Sequence, residues 1–166
     1  VSSNGARVIR ITNVQKGKIL DNDPKLYPYS ELKNLDNYKI KNTIAAHRNS
    51  VFSLLYYQNT LISTGRDAYI NVWDAPNNYV QLTSVPAHNY AVNNIIHLKG
   101  TSLLASCSMD KSIKIWNLED MQLLKVIDKA KHASHGTSVN KLWWNQEKQR
   151  LYSGSDDRTI SEWKIF

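Results

Sequence analysis

Cysteine is almost missing from this chain: Cys107 is the only one in 166 residues. No internal disulfide can form, which fits a reducing, intracellular setting, with the cytoplasm as the expected location. Cys107 lies in a strand-like run, where a buried, inert thiol is expected rather than a nucleophile. Long apolar runs are missing too. None approaches the ~20 residues needed to cross a bilayer, so no membrane partner is expected, and no secretory leader is visible. Helical periodicity is scarce, and only "YSELKNLDNY" at 29–38 fits a helical turn. Acid is in short supply, with 14 Asp and Glu against 21 Lys and Arg, a formal charge of +7. That balance admits an anionic partner such as nucleic acid. The basic residues are nevertheless scattered through "KGK" at 16–18, "KIK" at 39–41 and "DKAKHASH" at 128–135, each diluted by acidic or polar neighbours. A solvated surface is the expectation.

What the chain does have is a repeat. Ser63, Asp67 and Trp73 in "STGRDAYINVWD" stand at the same separations as Ser106, Asp110 and Trp116 in "SCSMDKSIKIWN", and as Ser153, Asp157 and Trp163 in "SGSDDRTISEWK". A histidine stands four residues before a valine ahead of each copy: His47 with Val51, His88 with Val92, His135 with Val139. Successive tryptophans are 43 and 47 residues apart, close to the ~40–45 residues of a four-stranded propeller blade. A fainter copy, "SSNGARVIRITN", places Ser2, Ala6 and Thr12 at the marker positions. Alternation divides each full copy into short strands, for instance "VFSLLYY", "TLISTG", "INVW" and "NYVQLTSV", joined by turn signals. The pattern predicts an antiparallel all-β protein.

These residues resemble the WD40-repeat β-propeller family, closely over 39–166 and loosely over 1–20. The family's Gly-His is replaced by Ala46-His47, Ala87-His88 and Ser134-His135, and only Trp73-Asp74 is a true Trp-Asp; Trp116-Asn117 and Trp163-Lys164 depart from it. The resemblance implies that His, Ser, Asp and Trp of each copy form one buried hydrogen-bonded set. The sets are His47, Ser63, Asp67, Trp73; His88, Ser106, Asp110, Trp116; and His135, Ser153, Asp157, Trp163. Buried polar groups need partners, which gives the same assignment a physical basis. A hydrolytic Ser-His-Asp triad is the competing reading. It needs one exposed nucleophile with an oxyanion hole, whereas three equivalent copies each tied to a tryptophan suit structure. His132 and His135 have His-x-x-His spacing, but no third ligand is evident, so neither metal nor cofactor is expected.

The expected organisation is the end of a degenerate blade at 1–20, an insertion in its c–d connection at 21–38, blades at 39–88 and 89–135, and a final blade at 136–166 without its outer strand. About three and a half blades do not obviously close a ring. A longer propeller of which this is the C-terminal half is therefore expected, with missing N-terminal blades or another chain covering the open edges; a four-bladed closure is the alternative. Glu162 occupies the place of Val72 and Ile115, so it should be paired or exposed.

The resemblance also marks partner-contact positions on the top face: Ser50, Phe52 and Arg66; Ala91, Asn93 and Met109; Ser138, Asn140 and Asp156. Two apolar anchors among polar groups suit a protein or peptide surface. Arg66 with Arg48, Lys129 and Lys131 offers an acidic segment an alternative seat. The functional expectation is a non-catalytic protein–protein interaction scaffold, with a nucleic-acid or acidic-ligand module and a hydrolase as alternatives. The insertion at 21–38 is a further candidate binding element.

Overall fold

A computed structural model describes residues 8–13 and 39–166. Within them lie thirteen strands in four antiparallel sheets. The first pairs β1 (Val8–Asn13) with β2 (Lys39–Ala45). The second runs in sequence order through β3 (Val51–Tyr57), β4 (Thr60–Gly65), β5 (Tyr69–Asp74) and β6 (Val80–Pro86). The third repeats it with β7 (Val92–His97), β8 (Leu103–Ser108), β9 (Ile113–Asn117) and β10 (Leu123–Ile127). The fourth has three strands, β11 (Val139–Asn145), β12 (Arg150–Ser155) and β13 (Ile160–Lys164). The chain is thus all-β, a partial propeller of successive antiparallel blades. The unit expected at 39–88 draws on two sheets, because Lys39–Ala45 hydrogen-bonds to β1 and Val51–Pro86 makes the next blade. The helical turn expected at 29–38 lies outside the described residues.

Each sheet stands on its neighbour by apolar side chains from alternate strand positions, as the period of two requires. Ile62, Ile70 and Val72 of the second sheet pack on Val92, Ile95, Leu104 and Trp116 of the third. Ala105, Cys107, Ile113 and Ile115 of the third pack on Val139, Leu142, Trp144 and Leu151 of the fourth. Each large aliphatic side chain removed from water in these layers contributes ~1.5–3 kcal/mol. Trp73 and Trp116 face the preceding layer, while Val72 and Ile115 face the following one. Glu162, at the equivalent place in β13, is half exposed and pairs with the Arg150 side chain at 3.3 Å. The central strand β7 packs against β3 on one side and β11 on the other, which sets the three blades around a common inner edge.

One element escaped the sequence. Lys129–His132 forms a single helical turn, α1, in the connection between the third and fourth sheets. The Asp128 carboxylate caps it by accepting from the Lys131 N–H at 2.9 Å, and Ala133 ends it in the left-handed region. Four residues are too few to give a period, so only the cap could have betrayed it.

Candidate functional site

The site begins with the polar sets, because they fix the turns that carry it. In the middle blade Trp116 Nε1 donates to Ser106 Oγ at 2.8 Å, Ser106 Oγ lies 2.8 Å from His88 Nε2, and His88 Nδ1 lies 2.9 Å from Asp110 Oδ2. One directed chain satisfies every member: indole N–H to serine, serine O–H to Nε2, and Nδ1–H to carboxylate. It requires neutral His88 and ionised Asp110. Burial, the largest influence on His88, lowers its pKa against the opposing pull of Asp110. Burial opposes the ionisation of Asp110, but bonds from His88, the Ser112 hydroxyl and the Asn89 N–H outweigh it and hold the carboxyl well below the usual range. The same links join His47, Ser63, Asp67 and Trp73 at 2.8–2.9 Å, and His135, Ser153, Asp157 and Trp163 at 2.8–2.9 Å. At Asp157 the Thr159 hydroxyl is the largest cause of a lowered pKa, with His135 adding to it. All three serines are buried and shared between a tryptophan and a histidine, so none presents a nucleophile to solvent. Cys107 is equally withdrawn: burial pushes its pKa up to about 12.

The residue after each aspartate, Ala68, Lys111 or Arg158, has φ near +70° (69°, 73° and 69°), so every copy turns through the left-handed region at one place. The carboxylates accept from the loop opposite: Asp67 from Arg48 N–H at 2.8 Å and Asp110 from Asn89 N–H at 3.1 Å. Each set thereby ties the loop before a blade's inner strand to the turn between its second and third strands.

On that framework the contact positions form three triplets. The Arg66 N–H donates to the Ser50 carbonyl at 2.8 Å, Met109 to Ala91 at 3.0 Å, and Asp156 to Ser138 at 3.1 Å. Gly65 permits the first approach, since a Cβ there would lie 2.5 Å from the Ser50 carbonyl oxygen. The middle members share a feature that the sequence did not reveal. Pairing of each inner strand with the next skips one residue, Phe52 between Val51 and Ser53, Asn93 between Val92 and Asn94, and Asn140 between Val139 and Lys141. These are β-bulges, which leave one residue outside the ladder and re-aim its side chain. The bulge explains why Phe52 is 38% exposed although strand residues flank it on both sides.

The triplets are used differently. Asn93 is half-buried and donates through Nδ2 to Ser138 Oγ at 3.0 Å and the Val139 carbonyl at 2.9 Å. Ser138 Oγ donates to Asn140 Oδ1 at 2.9 Å, and Asn140 donates on to Asp156. These four polar side chains spend their hydrogen bonds on one another at the junction of the third and fourth sheets. At the junction of the second and third, Phe52, Arg66 and Met109 instead line an open groove of about 530 Å³ with Tyr90. Met109 is 51% and Tyr90 65% exposed. Ala91 also lines the groove, but it is buried and adds little to the open surface. Tyr90 was missed because it lies in a connecting loop that carries no repeat marker. The Arg48 N–H donates to Asp67, and Arg66 precedes Asp67 in the same turn, whereas the Lys129 ammonium lies over Gly136 in the connection to the next blade.

Ser134, which stands where the other copies have Ala46 and Ala87, is buried with an unpartnered hydroxyl. An orphaned buried group of this kind costs ~1–3 kcal/mol. Ser134→Ala is therefore expected to stabilise the protein by about 1 kcal/mol, read as a higher denaturant midpoint at unchanged slope. A lower midpoint refutes this. The described residues contain no cluster of metal-ligating side chains around His132 and His135. Nor does any described helix reach the length and apolarity of a membrane span.

Comparison with known proteins agrees with this geometry. The family model "WD domain, G-beta repeat" matches residues 38–74, 79–117 and 128–164. Relatives include nuclear distribution protein nudF of Aspergillus niger, 27% identical over 63% of this chain and 23% of its own length. Nuclear distribution protein nudF 1 of Talaromyces marneffei is 30% identical over 74% of this chain and 27% of its own. The WD repeat-containing protein WDS homolog of Arabidopsis thaliana is 32% identical over 57% of this chain and 18% of its own. The chain thus matches about a quarter or less of the length of these relatives. It belongs to the WD40-repeat family.

Proposed function

We propose that this WD40-repeat chain is a non-catalytic scaffold that holds a protein or peptide partner in the groove formed by Phe52, Arg66, Tyr90 and Met109. The observation that carries the reading is the contrast between the two blade junctions. Where Asn93, Ser138, Asn140 and Asp156 meet, polar groups close on one another. Where Phe52, Tyr90 and Met109 meet, apolar surface stays open beside a cation. Exposed aromatic and Met side chains beside an Arg have the composition of a binding hot spot. The locked His-Ser-Asp-Trp sets make the platform rigid, so little ordering entropy is lost on binding. Scaffolding without chemistry is the general habit of the family, and relatives named as nuclear distribution proteins support an intracellular setting.

Photo-crosslinking tests the proposal. A photoreactive phenylalanine in place of Tyr90 in the full-length protein is expected to label a bound protein partner, whereas the same probe at exposed Leu124 on β10 is not. Labelling from Leu124 alone, or of nucleic acid from Tyr90, overturns the assignment.

A further inference from the structure

The junction that carries the first groove has a second one at its other end, where β3 and β7 finish. It is the larger of the two, about 850 Å³. Ile62, Val72 and Met121 floor it, all buried, and Leu82 of β6 stands exposed at its edge. Tyr57 and His97 wall it, their rings edge-to-face with centroids 4.6 Å apart. Glu119 and Asp120, both exposed, line its mouth. We propose that this groove binds a basic peptide segment of a partner protein, one carrying a large apolar side chain between its cations.

Charge decides the occupant. No lysine or arginine lines the groove, although the whole chain carries a formal charge of +7. Neither Glu119 nor Asp120 has an ion-pair partner among the described residues. The blade does not require them, because the same turn one repeat earlier has Pro76 and Asn77. Their turn is nonetheless well fixed. The Leu118 N–H donates to the Ser102 carbonyl at 2.9 Å, Asn117 N–H to the Gln122 carbonyl at 2.9 Å, and Gln122 N–H to Asp120 Oδ1 at 2.9 Å. Two carboxylates held at the rim of a groove with an apolar floor and polar walls match a segment in which lysine or arginine flanks a tryptophan or leucine. The apolar side chain reaches the floor, and the cations meet Glu119 and Asp120. The first groove is lined by both Arg66 and Asp67, so it lacks the one-sided charge of the second.

The test uses a short fluorescent peptide of lysines around one tryptophan, titrated into the chain by anisotropy at low and high salt. Binding is expected, and salt is expected to weaken it. Glu119→Lys with Asp120→Lys, both on an exposed turn, is expected to weaken binding about tenfold or more, because it sets like charges against the peptide. Leu82→Ser is expected to weaken it at all salt concentrations, and Leu124→Ser, exposed on β10 outside both grooves, to leave it unchanged. The proposal falls if a glutamate peptide around the same tryptophan binds equally well, or if charge reversal has no effect. It falls equally if groove resonances shift with chain concentration alone, since a second copy is then the occupant.

Discussion

Asp110→Ala is expected to be among the most damaging single truncations of a polar side chain in this protein, lowering stability by ~1–3 kcal/mol through the partners it orphans. At this chain length that corresponds to a melting temperature lower by about 3–10 °C. Asp110 accepts from His88, from both the hydroxyl and N–H of Ser112, and from the Asn89 N–H. Its side chain is only 8% exposed, against 22% for Asp157 in the last blade. Water can therefore replace Asp157 more readily, and Asp157→Ala is expected to cost less. The pH dependence distinguishes this account from a mere packing defect. His88 has a folded pKa below its ordinary 6.5, so its contribution is complete above that value and is lost as pH falls from there toward the folded pKa. Asp110 has a folded pKa below 3.8, so its contribution is complete above 3.8 and is lost as pH falls further. In Asp110→Ala the acid loss below 3.8 shrinks, with Asp157 still supplying part of it. The loss beginning near 6.5 persists, because burial still disfavours charged His88 once its raising partner is gone. Denaturant melts at pH 7, 5 and 3 measure both windows. A variant with unchanged stability at pH 7, or with the wild-type loss below 3.8, contradicts the directed hydrogen-bond chain.

The parts of this structure that the sequence announces are those with a rigid stoichiometry of polar groups. A buried serine, histidine, aspartate and indole satisfy one another only at fixed places on two strands and two turns, so their spacing survives from copy to copy. The strands are legible for a similar reason, since alternation is forced by one face of each blade packing on the next. The bulges at Phe52, Asn93 and Asn140 are not legible, because a one-residue slip in pairing leaves the alternation of a short strand almost intact. Nor does sequence say that Asn93 meets Ser138 and Asn140, 45 and 47 residues further on, since that contact depends on how two blades lean together. Both grooves arise in this way, from side chains that are unremarkable in their own strands and become neighbours only across a junction.

Phe52→Ser, Arg66→Glu and Met109→Ser, combined in the full-length protein, are expected to abolish partner capture while moving the melting temperature by no more than a few degrees. The reason lies in where these side chains stand. Phe52 projects from a bulge outside the ladder, Met109 and Arg66 project from turns, and none belongs to the packed layers between blades. Surface substitutions away from buried features typically change stability by within about 0.5 kcal/mol each. Anchors of a hot spot cost ~2 kcal/mol or more apiece when truncated, so losing two of them and reversing Arg66 weakens binding by three orders of magnitude or more. The backbone bond from Arg66 to Ser50 survives the change, because it uses the N–H and not the side chain. Measuring capture and thermal melting on the same preparation separates the outcomes. A collapse of the melting temperature means that Phe52 is a packing residue after all. Undiminished capture with intact folding removes this groove from the function and directs attention to the insertion at 21–38 and to the acidic trough at the other end of the junction.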